Sequence, residues 1–495
     1  MQFISSLLMT NKELAKELDN APFHDPWIKA RGESVDDLTN KLITLALEDK
    51  ERKRLEQYLP QANNLIANFI NCYQKGNRWL AVDCSSDAYP GGRYKKPVTR
   101  AILVDGLIKT LKKHNLIDYK VGFYSKDDLI NQGKKTRVRP VGDLKTWIEE
   151  VSDAEIVQMP LGELVRVQVK GDKFYNRKTR MLESKKELKD YKDSRFTNEL
   201  RSNLKALNDY IAPVFVDLWL PDETYTKALH NCNYYQKQYY CVFNDPEFTK
   251  GGRLYGHYIQ QIKKDYRSYI TINHVATQEV DYKGFHASMM YHLEGAEMEG
   301  DPYQLDVDFY DDTLREAVKI IFIIMMNCQS LKQAVKAIRE DVDEGEIILN
   351  DKLDINNQIT TIINALLDKH QLISHWFFKP VPAGWALQLL DSKITMGVML
   401  EMMLVHKAVA LSIHDSFIVQ TDYTEVLKDV MHNVYKRVLG YIPQVELTST
   451  KLKLKMDEGS SSSHSLYEQR AKQYLKNKGE VPEYPLDPPY IFPAV

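Results

Sequence analysis

The stretch "ALSIHDSFIV", Ala410 to Val419, sets a histidine and an aspartate between two short apolar runs. An apolar run, a polar break and a second apolar run predict two strands joined by a tight turn. No other segment constrains the fold as much, because both flanks must be buried while His414 and Asp415 stand at the hairpin tip. Turn chemistry alone accounts for the polar residues, since Asp and Ser favour turns by bonding to their own backbone. A catalytic role for Asp415 therefore requires a partner elsewhere in the chain.

With 495 residues, 43% hydrophobic and 27% charged, and a formal net charge of −2, the chain can bury a sizeable core; the length prior suggests about two to four structural units. Near-neutral charge leaves nucleic-acid binding open, because local patches matter more than the sum. Five cysteines without a C-x-x-C pair argue against a zinc site or a disulfide framework and for a reducing, cytoplasmic setting. "FISSLLM" at the N-terminus is too short and lacks the basic leader of a signal peptide. The longest apolar block, "IIFIIMMN", falls far below the ~20 residues of a membrane span.

Residues 1–90 carry helical periodicity, with Leu38, Leu42, Leu45 and Leu47 recurring near helical spacing. Residues 91–165 read as a helix followed by a basic β-hairpin, which resembles the second half of a winged helix. Arg100, Lys112, Lys113 and Arg137 are its candidate phosphate contacts, with a solvated charged face as the alternative. Residues 166–212 read as a basic, polar helical region. From 213 to 456 apolar and aromatic strands and helices alternate, and 457–495 read as a flexible loop with an extended Pro-rich tail.

The candidate partner is Asp281, at the exit of the alternating strand "TQEV" and before the helical "FHASMMYHLEG". Two-metal phosphoryl transfer uses paired carboxylates to hold two divalent ions about 3.5–4 Å apart; a strand-end aspartate is also a common helix cap. Between the two aspartates lies "DDTLREAVKIIFIIMMNC", with Asp311 and Asp312 as a cap. Arg315 and Lys319 share one face of that otherwise apolar helix, where they could hold a triphosphate or simply solubilise it.

In order, Asp281-Tyr282 with Gly300-Asp301-Pro302, then Arg315 and Lys319, then His414-Asp415 resemble motifs A, B and C of family A DNA polymerases and phage-type single-subunit RNA polymerases. "HDSF" is closer to the RNA-polymerase wording. "GGRLYG" at Gly251 to Gly256 resembles an element that precedes motif A in the RNA polymerases, and "GWALQLLDSKITMGVMLEMML" the palm helix under the primer end. The resemblance covers roughly residues 213–456.

It implies an α+β right-hand polymerase with palm, fingers and thumb behind a mainly helical, winged-helix-like N-terminal region. The implied activity is template-directed nucleotidyl transfer to a 3′-OH. Two Mg²⁺, with Mn²⁺ as a substitute, would be held by Asp281, Asp415 and the backbone carbonyl of Tyr282. His414 would position the primer end. Arg315 and Lys319 would bind the triphosphate, and Arg253, Lys263, Lys264 and Gln388 the template or primer. Implied partners are a DNA or RNA template and primer and nucleoside triphosphates, with no membrane. The setting is the cytoplasm of a bacterium or of a phage-infected host. Two departures put sugar choice in doubt: Asn327 stands where both relatives carry a Tyr, and His286 where the DNA polymerases carry a Glu. A metal-dependent nuclease and a non-catalytic DNA-binding protein on a polymerase scaffold are the rival readings.

Overall fold

The structure is a computed structural model describing residues 14, 17–47, 52–74, 78–124, 133–151, 153–176, 181–229, 232–350, 352–448 and 464–477. Its architecture is α+β, built among the described residues on two large apolar cores, with a small third cluster of Ala21, Trp79 and Ala81.

The first core gathers a strand β1 (Ile28–Arg31), two helices α1 (Glu33–Leu47) and α2 (Arg52–Gln74), and strands β2 (Leu80–Val82), β3 (Ile117–Lys120) and β4 (Thr136–Pro140). Leu38 and Leu42 of α1, Leu65 and Phe69 of α2, Leu103, Leu107 and Val138 all face it. Strands β2, β4 and β3 form an antiparallel sheet in that order, with Leu80 opposite Val138 and Asp118 opposite Arg139. The helix expected before this hairpin is present, passing through a π-helical stretch at Leu103–Ile108. The boundary expected at 90/91 separates nothing, because residues on both sides of it fill one core. Helix α3 (Gly142–Glu150) and strand β5 (Glu155–Gln158), paired with β1, close this unit.

The region expected to be helical from 166 begins instead with a long hairpin, β6 (Val165–Asn176) and β7 (Met181–Lys189), followed by helix α4 (Arg195–Ile211). Alternation explains the difference: Val165 and Val167 are buried while Arg166 between them is not, a period of two that a helix cannot satisfy. Helix α4 starts at Ser194, which forms a capping box with Thr197. Strands β8 (Val216–Leu218), β9 (Tyr240–Phe243) and β10 (Gly251–Tyr255) follow; β10, β9, β6 and β7 make one sheet.

The central sheet runs β8, β11 (Ile270–Ile272), β12 (Val275–Tyr282), β14 (Ser416–Gln420), β13 (Leu411–Ile413). Strand β15 (Val445–Leu447) pairs with the far end of β12, so Asp281 is flanked by Ser416 on one side and Glu446 on the other. Around this sheet pack α5 (Phe285–Leu293), α6 (Asp312–Asn327), α7 (Ala383–Leu404) and α8 (Thr424–Leu439). Helix α7 is buried almost all round, the pattern of an element enclosed by a large core.

Residues 449–463 and 478–495, where a loop and an extended tail were expected, lie outside the described residues. Between them Ser465–Asn477 form a helix, α9, and not a tail. Tyr467, Arg470 and Tyr474 share one of its faces by helical spacing: Tyr467 is buried, Tyr474 lies against Phe215, and Arg470 bonds the wholly buried Asp217. Among the described residues no helix is long and apolar enough to cross a membrane.

Candidate functional site

Strands β13 and β14 are joined by His414 and Asp415, with Ile413 opposite Ser416. His414 takes a left-handed φ of 59°, a conformation that costs a non-glycine residue about 1–3 kcal/mol. Its flanks hold it there, since Leu411, Ile413, Phe417 and Ile418 are all buried. The apolar runs of the sequence thus secure a polar turn in a strained shape.

Asp281 lies directly across from Ser416, one residue from Asp415, on strands that neighbour each other in the sheet. Burial, reinforced by the charges of Asp415 and Glu279 and opposed by Lys319, pushes the Asp281 carboxyl up to about 7. Its Oδ1 is buried and accepts no hydrogen bond. A carboxylate whose proton affinity is raised by a second one beside it, and which keeps an unsatisfied oxygen, forms a site that a cation would complete. Among the described residues no group of three His, Cys, Asp or Glu side chains forms a metal cluster. Two carboxylates suit Mg²⁺, which keeps several of its waters, better than Zn²⁺. Tyr282 turns its ring into the core and donates its hydroxyl to the Met431 carbonyl, 3.1 Å away, so only its backbone is free for the role expected of it.

In this arrangement Asp281 is predicted to weaken the fold. Its folded-state pKa exceeds the ~3.9 of an unfolded chain, so the native state binds the extra proton and stability falls as pH rises from about 4 to about 7. In metal-free protein at about pH 8, Asp281→Asn should raise the melting temperature, and the gap should narrow steadily toward pH 4. Thermal melts in chelator across that range check this; an equal or lower melting temperature for the variant at pH 8 counts against the site.

Helix α6 begins at Asp311, whose side chain accepts from the Leu314 amide at 2.8 Å. Leu314, Ala317, Val318, Ile321, Phe322, Met325 and Met326 are buried, leaving Arg315, Lys319, Ile323 and Asn327 along the open stripe. Lys319 is exposed on that stripe and near enough to Asp281 for its charge to be felt there. Arg315 does not point there freely: its Nε donates to Asp301 at 2.6 Å, so the Gly300-Asp301-Pro302 element clamps it. Asn327 ends the helix, donating to the Ile323 carbonyl at 2.8 Å and abutting Gly384 at the start of α7.

His286, on the first turn of α5, is close enough to Asp415 and Arg253 to feel both charges; burial and Arg253 hold it down at about 4, so it is neutral near pH 7. Its Nε2 is buried without a partner. Partial burial and Arg253 likewise lower His414. Arg253 is itself held by a pair the sequence did not announce, donating from Nε to the buried Asp391 of α7 at 2.8 Å. Gly252 permits that contact: at its φ of 91° a Cβ would come within 2.6 Å of Ser392 Oγ. Lys263 and Lys264 are exposed and Gln388 is half-buried on α7.

Two acidic groups escaped the sequence analysis. Glu279 shares a strand face with Asp281 by its two-residue spacing, and it bonds Ser416 Oγ at 2.6 Å and Arg267 at 3.2 Å. Asp391 could have been flagged as a carboxylate in the middle of a predominantly apolar helix.

The basic residues of the N-terminal hairpin are largely spent within the protein. Arg137 is buried, with its guanidinium on the carbonyls of Leu18 and Lys135 and near Asp19. Arg100 pairs with Asp105 at 2.7 Å, Arg139 with Asp118, Lys134 with Asp19 and Lys135 with Asp83. Lys112 lies over the Tyr119 ring, and Lys113 is exposed at the end of its helix.

No family model matches the chain, and no curated protein matches it. Among solved structures, it is similar to the polymerase domain of Pol1 from M. smegmatis in a complex with DNA primer-template and dNTP. That likeness has 13% identity and a TM-score of 0.29 over 40% of this chain and 45% of that one. The chain thus spans less than half of that domain, and the chemistry below rests on the side chains alone.

Proposed function

We propose that the chain is a template-directed nucleotidyltransferase of right-hand polymerase architecture. In this reading the central sheet is the palm and α6 belongs to the fingers. One observation carries it: a central-strand Asp281 and a hairpin-tip Asp415 sit on neighbouring strands, Asp281 feels the charge of Asp415, and the positive charge of Lys319 reaches Asp281 as well. A nuclease could use the same carboxylates and a nearby cation for its own phosphoryl transition state, and strand shortening without nucleotides is the outcome that would favour it.

Two bound Mg²⁺ would activate the primer 3′-hydroxyl and neutralise the departing pyrophosphate. Asp281 and Asp415 supply the anionic oxygens that hold them. Lys319 places a positive charge where the triphosphate arrives, and Arg315 joins it on release from Asp301. His414, neutral and fixed by its turn, orients the primer end as a hydrogen-bonding group. Lys263 and Lys264 contact the nucleic-acid backbone, which adds affinity without sequence preference. Neutral His286, with a free ring nitrogen near Asp415, borders the space in which the sugar lies.

Extension of labelled primed and unprimed templates with ribo- or deoxynucleotides, with and without Mg²⁺, tests the reading. Metal-dependent product ladders support it and identify the sugar. Absence of extension in every combination, or shortening of the strand without nucleotides, refutes it. Lys319→Ala is expected to raise KM for the incoming nucleotide roughly 10- to 100-fold, the loss of one charge-assisted bond, with a smaller effect on kcat. Steady-state kinetics on a primed template check this; an unchanged KM would remove Lys319 from the triphosphate site.

A further inference from the structure

A groove runs along the seam between the two cores, apart from the carboxylate pair. Its larger part, about 310 Å³, lies between the segment around Phe23 and the edge of the β10-β9-β6-β7 sheet. A second hollow of about 240 Å³ continues it, and the two share Phe23, His24, Pro26 and Lys96. Three features of its lining select for one kind of ligand.

The first is charge. Arg166 lies flat over the Tyr240 ring, 3.6 Å from its centroid, and its Nε donates to the Glu163 carbonyl. Among the described residues no carboxylate bonds its guanidinium, and burial pulls its pKa down. Lys96 lines both hollows, donates to the Ala88 carbonyl and lies over the Tyr89 ring, and among the described residues no carboxylate bonds it. Of the acids in the groove, Asp83 is paired with Lys135, while Asp25 accepts from Asn233 and the Trp27 amide and its charge is felt at Lys96. The second is an aromatic surface: Phe23 is 70% exposed at the point where the hollows meet. The third is a polar orphan, the buried Oδ1 of Asn233, which has no donor.

An uncompensated guanidinium and an ammonium recognise phosphate. An exposed ring recognises a planar base, and a lone acceptor recognises an amino group on its edge. We propose that this groove binds consecutive nucleotides of a single-stranded nucleic acid, with phosphates at Arg166 and Lys96 and a base stacked on Phe23. Two hollows sharing one aromatic and one cation fit a strand better than a free nucleotide, which would fill one of them. The inference does not depend on the polymerase reading.

The test is fluorescence anisotropy of the full chain with a short labelled single-stranded oligonucleotide, DNA and RNA in separate arms, with a mononucleotide as competitor. Arg166→Gln combined with Lys96→Ala is expected to weaken binding roughly 10- to 100-fold and to reduce the salt slope by about 0.7 for each lost phosphate contact. Phe23→Ala, at an exposed position that folding does not need, should weaken it roughly 5- to 100-fold, the worth of one stacked base. Asp415→Ala should bind the oligonucleotide as the wild type does, and groove variants should still extend a preformed hairpin primer-template, so the two readings fail separately. Unchanged affinity and salt slope in both groove variants would overturn the proposal. A mononucleotide that competes as well as the oligonucleotide would also overturn it.

Discussion

Asp415→Ala and Asp281→Ala are each expected to lower nucleotide incorporation by at least about 10³-fold, since each removes half of a clamp worth several kcal/mol to the transition state. The physical interest lies in what does not change. The two carboxylates repel, as the raised proton affinity of Asp281 shows. Deleting either relieves that repulsion, so the variants should melt no lower than wild type in metal-free buffer and should keep their affinity for primed template. Activity lost together with unchanged or improved stability marks residues that are retained against folding, a usual signature of catalytic groups. Primer extension, thermal melts and template binding on the same preparations separate the terms. Incorporation within tenfold of wild type in either variant would end the paired-carboxylate mechanism.

This site was legible because its signals are local. The hairpin at Leu411–Gln420 follows from two apolar runs and a polar break, Asp281 from the end of an alternating strand, and the Asp311 cap from its place before an apolar helix. What the sequence hid is pairing at a distance. The basic excess between Arg93 and Arg139 read as a phosphate-binding face. Arg93, however, reaches Glu163, Asp190 and Asp193, and Lys135 reaches Asp83, partners 52 to 100 residues away. No local pattern distinguishes a free cation from one whose acid comes from another element. The hairpin at Val165–Lys189 was missed for a different reason. Its lysines and glutamates suit a helix by propensity, and the β-branched alternation of Val165, Val167 and Val169, which decides the matter through burial, was outweighed. Helix Ser465–Asn477 was obscured by the serine-rich stretch before it and the prolines after it, yet its Tyr467, Arg470 and Tyr474 carry a three- and four-residue spacing.

Arg253 tests whether a residue read as a nucleic-acid contact is also part of the frame. Its partner Asp391 is 1% exposed and is further bonded by Thr395. Burial pushes the Asp391 carboxyl up to about 6 while Arg253 pulls it back. Arg253→Met leaves that carboxylate buried and unpaired, which should cost about 3–5 kcal/mol. The loss depends on pH with a definite sign. Without Arg253 the folded pKa of Asp391 climbs further above the ~3.9 of the unfolded chain, so the variant's deficit is greatest at alkaline pH and shrinks as pH falls toward that value. Adding Asp391→Leu removes the stranded charge and should restore most of the stability, as an apolar replacement of a whole buried pair commonly does. Catalysis should not follow stability back. The charge of Arg253 is felt at both His286 and His414, so the double variant should melt near wild type yet keep a raised KM for primed template. Recovery of both properties would make Arg253 a strut between β10 and α7 and nothing more. Recovery of stability alone places its positive charge among the groups that meet the nucleic acid.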